Sequence, residues 1–241
     1  MKEIKEIKEI ISRAIILLTI SDRCALESSV VEGKIYSKKQ REEQRKAING
    51  WLEKHGYTNY MTKAEIYFMG QEAGTSGDAI KNQFQYEAIE PLLWSLGLVD
   101  DLTSYSQYVL EDFHPILQIG GQHNYEKLFN CCYLKSNEDI YLQKEIAMLW
   151  YWRVIEKGNP IFHNNSIKNI IVDIFGQQYE EILLNIQNFD SRQKDFVIGE
   201  HGVSDLGELE LQHLWNRAKW RYYAFEWMTG EVNWDDVELN S

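Results

Sequence analysis

The sequence predicts an all-α protein: a single multi-helix globular domain around a central, aromatic-rich C-terminal helix, with at most a short strand pair. Three observations predict it. Apolar residues recur at helical spacing along most of the chain. Only 3 prolines interrupt 241 residues. Hydrophobic residues make up 44% and aromatics 13%, enough for an ordered core. No linker rich in Pro, Gly and Ser divides residues 1–241, so one domain is expected, with a subdivision near residue 120 as the alternative.

The N-terminus reads Lys-Glu-Ile three times over residues 2–10. Ile4, Ile7, Ile11, Ala14 and Leu18 follow a 3-4 spacing, which predicts an amphipathic helix to about Glu27. This stripe packs on the chain's own core or, at its heptad-like start, on another chain. Ser37 with Gln40 makes a capping box for a helix to His55, with Ala47, Ile48, Trp51 and Leu52 as its buried face and Gly56 as its stop. Thr62 with Glu65 caps a short helix ending near Met69. Residues 70–77 form a polar loop without the Gly-Lys-Ser/Thr ending of a phosphate loop.

Helical spacing resumes at Asp78 with Ile80, Phe84, Ala88, Leu92, Leu93 and Leu96, broken or kinked at Pro91 and closed by Gly97. Residues 105–117 read as a helix interrupted before Pro115, and Gly120-Gly121 as a break. Residues 128–134 read as a short extended segment. Ser136, with Asp139 three residues on, caps a long, largely buried helix to Glu156, closed by Gly158 and Pro160. Residues 167–175 and 179–186 read as helices bent at Gly176, and residues 196–198 as at most a short strand.

The final helix and tail, residues 211–240, carry Trp215, Trp220, Trp227 and Trp234. Leu211, Leu214, Ala218, Phe225 and Met228 form one apolar face; Trp220, Tyr223 and Trp227 line another. A helix apolar nearly all round is buried in a larger domain, and Gly230 stands where a C-terminal cap belongs.

Several stretches resemble one bacterial family, the domain-of-unknown-function family 4272. The tail carries most of the resemblance: Arg217, Ala224, Trp227, Gly230 and Trp234-Asp235-Asp236-Val237. Tyr86-Glu87-Ala88 with Leu92-Leu93-Trp94-Ser95-Leu96-Gly97-Leu98 is similar to its mid-chain signature. Leu134-Lys135-Ser136-Asn137-Glu138-Asp139-Ile140 and the opening Ser12-Arg13-Ala14-Ile15-Ile16-Leu17-Leu18 are similar in kind. Residues 161–189 depart from the pattern, and the upstream segment of many members has no counterpart. The resemblance implies a helical fold and no activity.

Net charge is −12 and unevenly spread: 13 Lys and Arg against 10 Asp and Glu over residues 1–70 (+3), 12 against 27 over residues 71–241 (−15). Such a surface repels phosphate backbones, which argues against a nucleic-acid binder, and attracts a basic protein. The 3 cysteines, Cys24 and the adjacent Cys131 and Cys132, form no disulfide framework and suit a reducing cytoplasm. No run approaches the roughly 18–20 apolar residues of a membrane span, and no secretory signal is apparent.

The 6 histidines form no His-x-x-x-His or His-Glu-x-x-His, and there is no Cys-x-x-Cys, nucleophile elbow or Rossmann fingerprint. No catalytic residue, metal or cofactor is therefore assigned. Asp139 and Glu145, or Glu87 and Glu90, are candidates for a bundle metal site, but the Glu-x-x-His motifs of that class are missing. The most suggestive polar set is Glu87, Arg217, Arg221, Trp227, Trp234 and Asp235, with Glu226 nearby in sequence. Arg217 and Arg221 lie one turn apart on an apolar helix, and buried charges must be paired. Two readings stay open for them: an anion pocket with tryptophan walls, or a structural network that fastens the tail. At the level of function the first expectation is a non-enzymatic interaction protein, for instance an immunity-type protein neutralising a basic toxin. The alternative is an enzyme or small-molecule binder using the Trp/Arg pocket.

Overall fold

The computed structural model describes residues 4–31, 34–74, 79–120, 123–159, 166–186, 189–190 and 195–239. The expected breaks at Gly121 and Pro160, the far end of the 70–77 loop and His163 lie outside these residues. The fold is helical. Its longest elements are α1 (Ile7–Ala25), α2 (Lys38–Lys54), α8 (Asn137–Ile155) and α11 (Glu208–Thr229). Shorter ones are α3 (Lys63–Gly70), α4 (Ala79–Asn82), α5 (Ile89–Ser95), α6 (His114–Leu117), α7 (Tyr125–Cys131), α9 (Ile167–Phe175) and α10 (Tyr179–Leu184). The extended segments are β1 (Val30–Val31) against β2 (Lys34–Ile35), and an antiparallel β3 (Phe189–Asp190), β4 (Asp195–Ile198), β5 (His201–Gly202). β4 runs in the middle, pairing Phe196 with Phe189 and Val197 with Gly202.

One cluster of buried side chains runs from Ile4 to Trp234. Its middle element is α5, every residue of which is buried. Together with the 3-10 turn Gln83–Ala88, α5 is held between α1 on one side and α11 on the other, and α8 lies against α11. So α11 is not the sole centre of the fold. Nor is α1 a one-faced amphipathic helix: every residue from 10 to 20 is buried, and seven of its Ile and Leu side chains are at most 1% exposed. At about 1.5–3 kcal/mol each, they offset the desolvation of Arg13 and Arg23 on the same helix. Ile4 and Ile11 of the N-terminal stripe lie in the chain's own core.

The caps form as their sequences require. Gln40 N donates to Ser37 Oγ and Ser37 N to Gln40 Oε1 at the start of α2. Glu65 N donates to Thr62 Oγ1 and Thr62 N to Glu65 Oε2 at α3. Pro91 falls in the first turn of α5, where its missing N–H costs nothing. Gly97 ends α5 at φ +66°, and a Cβ there would meet the Tyr133 ring at 2.2 Å. At Gly230 a Cβ would meet the Glu226 carbonyl at 2.9 Å.

Three further expectations are corrected. Ala47 is exposed and of the α2 face only Leu52 is buried, because α2 lies at the edge of the core. Residues 125–131 are helical, not extended: Asn124 caps α7 by accepting from Lys127 N at 2.9 Å. The helix gives way to extended backbone at Cys132, after which Tyr133 N and Lys135 N donate to Leu96 O and Ser95 O. Residues 105–112 are not helical, because their backbone is satisfied from elsewhere. The Tyr105 carbonyl accepts from Arg217, Val109 N donates to Glu87, and the Glu111 carbonyl accepts from Tyr86.

His114 ties this segment to α1. Its Nε2 lies 3.0 Å from Asp22 Oδ1 and Oδ2, and its Nδ1 2.6 Å from Asp112 Oδ1. The hydrogen bond to Asp22, helped by Asp112, pushes its pKa from 6.5 up to about 9. A raised folded-state pKa contributes stability that is full below 6.5 and lost as pH rises through about 9. The melting-temperature gap between the native chain and His114→Gln is therefore expected to close over that window. A gap of equal size at about pH 6 and about pH 10 would contradict it.

Candidate functional site

The six residues singled out in the sequence fall into two groups. Glu87, on the 3-10 turn, faces Arg221 on α11: Arg221 Nε and Nη2 donate to Glu87 Oε2 at 3.1 and 2.9 Å. Arg221 Nη1 donates to the Thr103 carbonyl, and Glu90 Oε2 stands 3.7 Å from Nη2. The other Glu90 oxygen accepts from the Thr103 backbone and hydroxyl. Burial holds the Glu90 carboxyl above the usual range, against the pull of Arg221. Glu87 and Glu90 thus gather on a guanidinium.

Arg217 donates to the Tyr105 carbonyl, and its guanidinium lies 4.3 Å from the Tyr108 ring centre. Arg221 lies 4.9 Å from the ring centre of Tyr105, which stacks at 4.8 Å on Trp150. Arg221 also edges a small cavity of about 140 Å³ whose walls include Trp94, Trp150 and Phe225. Both glutamates face Arg221, whereas Arg217 is met by a carbonyl and a ring and its buried Nε has no hydrogen-bond partner among the described residues.

Trp227, Trp234 and Asp235 lie elsewhere. The two indoles meet edge to face at 5.5 Å, and Tyr223 adds a third ring 4.9 Å from Trp234. The Tyr223 hydroxyl donates to the Trp234 carbonyl and fixes the tail onto α11. The cation beside them is Arg13 of α1, 4.9 Å from the Trp234 ring centre and 5.9 Å from that of Trp227. Arg13 donates through Nη1 to Glu65 Oε1 and through Nη2 to the Tyr60 carbonyl. Lys5 Nζ stands 5.6 Å over Trp227. Glu226 belongs to neither group; it pairs with Lys144 at 2.8 Å.

An open groove of about 560 Å³ follows the tail. Lys5, Glu9 and Arg13 line one side, residues 59–63 another, and Trp227 with residues 232–236 the third. Asp235 and Asp236 are exposed and line it; Glu231 and Glu238, close by in sequence, are also exposed but are not part of its lining. Asp236 accepts from Asn233 Nδ2, whereas Asp235 has no hydrogen bond or ion pair among the described residues.

Sequence reasoning missed Arg13 and Glu65. The signal for Arg13 was present: a lone charge in an apolar helix, the same signal that marked Arg217. It applies as well to Arg23 and Arg153, both fully buried. Among the described residues no three His, Cys, Asp or Glu side chains are grouped to hold a metal, and no described helix is long and apolar enough to cross a membrane. Cys131 is exposed and Cys132 half-buried, its thiol pushed up to about 11 by burial.

No curated protein and no solved structure matches the chain. A family model described as a domain of unknown function, DUF4272, matches residues 1–160. That span takes in the 86–98 and 134–140 segments and stops before the Trp-Asp-Asp-Val tail. With 160 of 241 residues matched, the chain belongs to the DUF4272 family.

Proposed function

We propose that this protein is a non-enzymatic interaction module of the cytoplasm that binds a basic protein partner along the tail groove. One concrete form is an immunity-type protein that neutralises a basic toxin or nuclease. The observation that carries the reading is the row of exposed carboxylates beside the groove. Trp227 and Trp234, which line it, are themselves buried and already carry the chain's own Lys5 and Arg13 over their rings. Asp235, Asp236, Glu231 and Glu238 add exposed negative charge there or close by in sequence, and residues 71–241 carry −15. Complementary charge speeds encounter and selects the partner. The three thiols suit a reducing compartment.

The test is titration of a fluorescent arginine- and lysine-rich peptide at low salt. Asp235→Asn with Asp236→Asn is expected to weaken binding by about fivefold, the scale of one to two exposed ion pairs, and to flatten its salt dependence. Equal affinity for a neutral peptide of the same length would remove the reading.

A further inference from the structure

A second cavity opens beside α11. It holds about 410 Å³ and is lined by Trp215, Lys219 and Trp220 of α11 together with Asn82, Phe84 and Gln85. Glutamine and asparagine complete the lining, and no carboxylate takes part in it. In a chain of net charge −12 that is unexpected.

The central group is Lys219. Its ammonium lies 5.0 Å from the ring centres of both Trp215 and Trp220. It has no hydrogen bond or ion pair among the described residues. Of the other half-buried lysines, Lys144 pairs with Glu226 at 2.8 Å and Lys168 with Glu180, whereas Lys5 and Lys135 each stand over an indole, Trp227 and Trp94; among the described residues Lys219 is the one set between two. Desolvation pulls the Lys219 pKa below its ordinary value, with no nearby charge opposing it. A half-buried cation without a counter-ion is held at a cost that an anion would relieve. Beside it, Gln85 Nε2 donates to Asn82 Oδ1 at 2.9 Å, while Gln85 Oε1 is buried with no partner.

We propose that this cavity binds a small organic anion: a carboxylate on a ring, the carboxylate meeting Lys219 and the ring lying against the indoles. Flat aromatic faces hold a ring by stacking. The ring is that of an aromatic acid or of a sugar acid, and the chemistry at Lys219 is the same for both. The cavity shares no lining residue with the tail groove, so the two readings fail separately.

Benzoate and glucuronate serve as probes, with benzamide as the uncharged match to benzoate. Saturation-transfer NMR or calorimetry at about 10 mM reaches the weak binding that small fragments show. Benzoate or glucuronate is expected to bind, and whichever does identifies the ring. Benzamide is expected to bind at least about tenfold more weakly than benzoate, the scale of one charged hydrogen bond. Lys219→Met should weaken the bound probe by a similar factor and Lys219→Arg should keep it. No binding of either acid, or equal binding of benzoate and benzamide, overturns the proposal. So does a Lys219→Met chain that binds unchanged. If benzoate is the acid that binds, the benzamide comparison decides on the unaltered protein; if glucuronate is, equal binding of uncharged glucose overturns the proposal in the same way.

Discussion

Replacing Glu87 by alanine is expected to destabilise the protein by about 3–5 kcal/mol, the cost of leaving a buried charge without its partner. Arg221 and Glu87 side chains are only 2% and 4% exposed, so solvent does little to relieve the loss. That is a large share of the roughly 5–15 kcal/mol that holds a domain folded. The damage should also spread. Glu87 Oε1 accepts from Val109 N, so its loss frees the 105–112 segment as well as Arg221. Glu90 stands 3.7 Å from Arg221, with its carboxyl raised by burial, and is too poorly placed to substitute. Urea unfolding read from the tryptophans measures the effect. Arg221→Met combined with Glu87→Leu should cost less than the sum of the single changes, because both charges then leave together. A Glu87→Ala loss below about 1 kcal/mol, the value of an exposed pair, would mean that this network does not hold the fold.

The second large effect is expected at Arg153 on α8. Its Nε and Nη2 donate to Asp195 Oδ1 and Oδ2 at 2.8 and 2.9 Å, and Nη2 also reaches Ser204 Oγ. Asp195 accepts in turn from Phe196 N and Ser204 N, so one guanidinium clamps β4 and the turn after β5 onto the helix. Arg153 is fully buried and Asp195 nearly so. Arg153→Met is expected to cost about 3–5 kcal/mol and to raise hydrogen exchange at Phe196 before the α1 amides respond. Asp195→Asn, which keeps an acceptor, should cost less. Unchanged exchange in β4 would show that packing of Phe196 on Trp150, at 4.8 Å between ring centres, is sufficient alone.

These clamps explain what could be read from the sequence. Local rules carried the elements they govern: the boxes at Ser37 and Thr62, the stops at Gly56 and Gly97, and the bend at Gly176, where φ is +106°. Periodicity failed at residues 105–112, where apolar spacing fits a helix but Glu87, Arg217 and Tyr86 claim the backbone. Such claims come from residues up to 112 positions away and leave no local mark. Asn124 is a cap residue by type, a local signal for α7 that the extended reading of residues 128–134 leaves out. At the candidate site, pairing of the Arg217/Arg221 turn with an acid followed from the cost of burying charge. Which acid, and that the tail rings would meet Arg13 instead, depended on how α1 and α11 flank α5. Lys219 drew no notice because a lysine on a helix is ordinarily solvated. Only the packing of Trp215 and Trp220 around it makes it unusual.

The most direct test of partner binding at the tail is to follow the eight indole N–H resonances while a basic peptide is added at low salt. Trp227 and Trp234 are expected to shift first and together, Trp94 and Trp150 to stay still, and added salt to reverse the change. Shifts that spare Trp227 and Trp234, or that survive high salt, would contradict recognition of a basic partner in the groove.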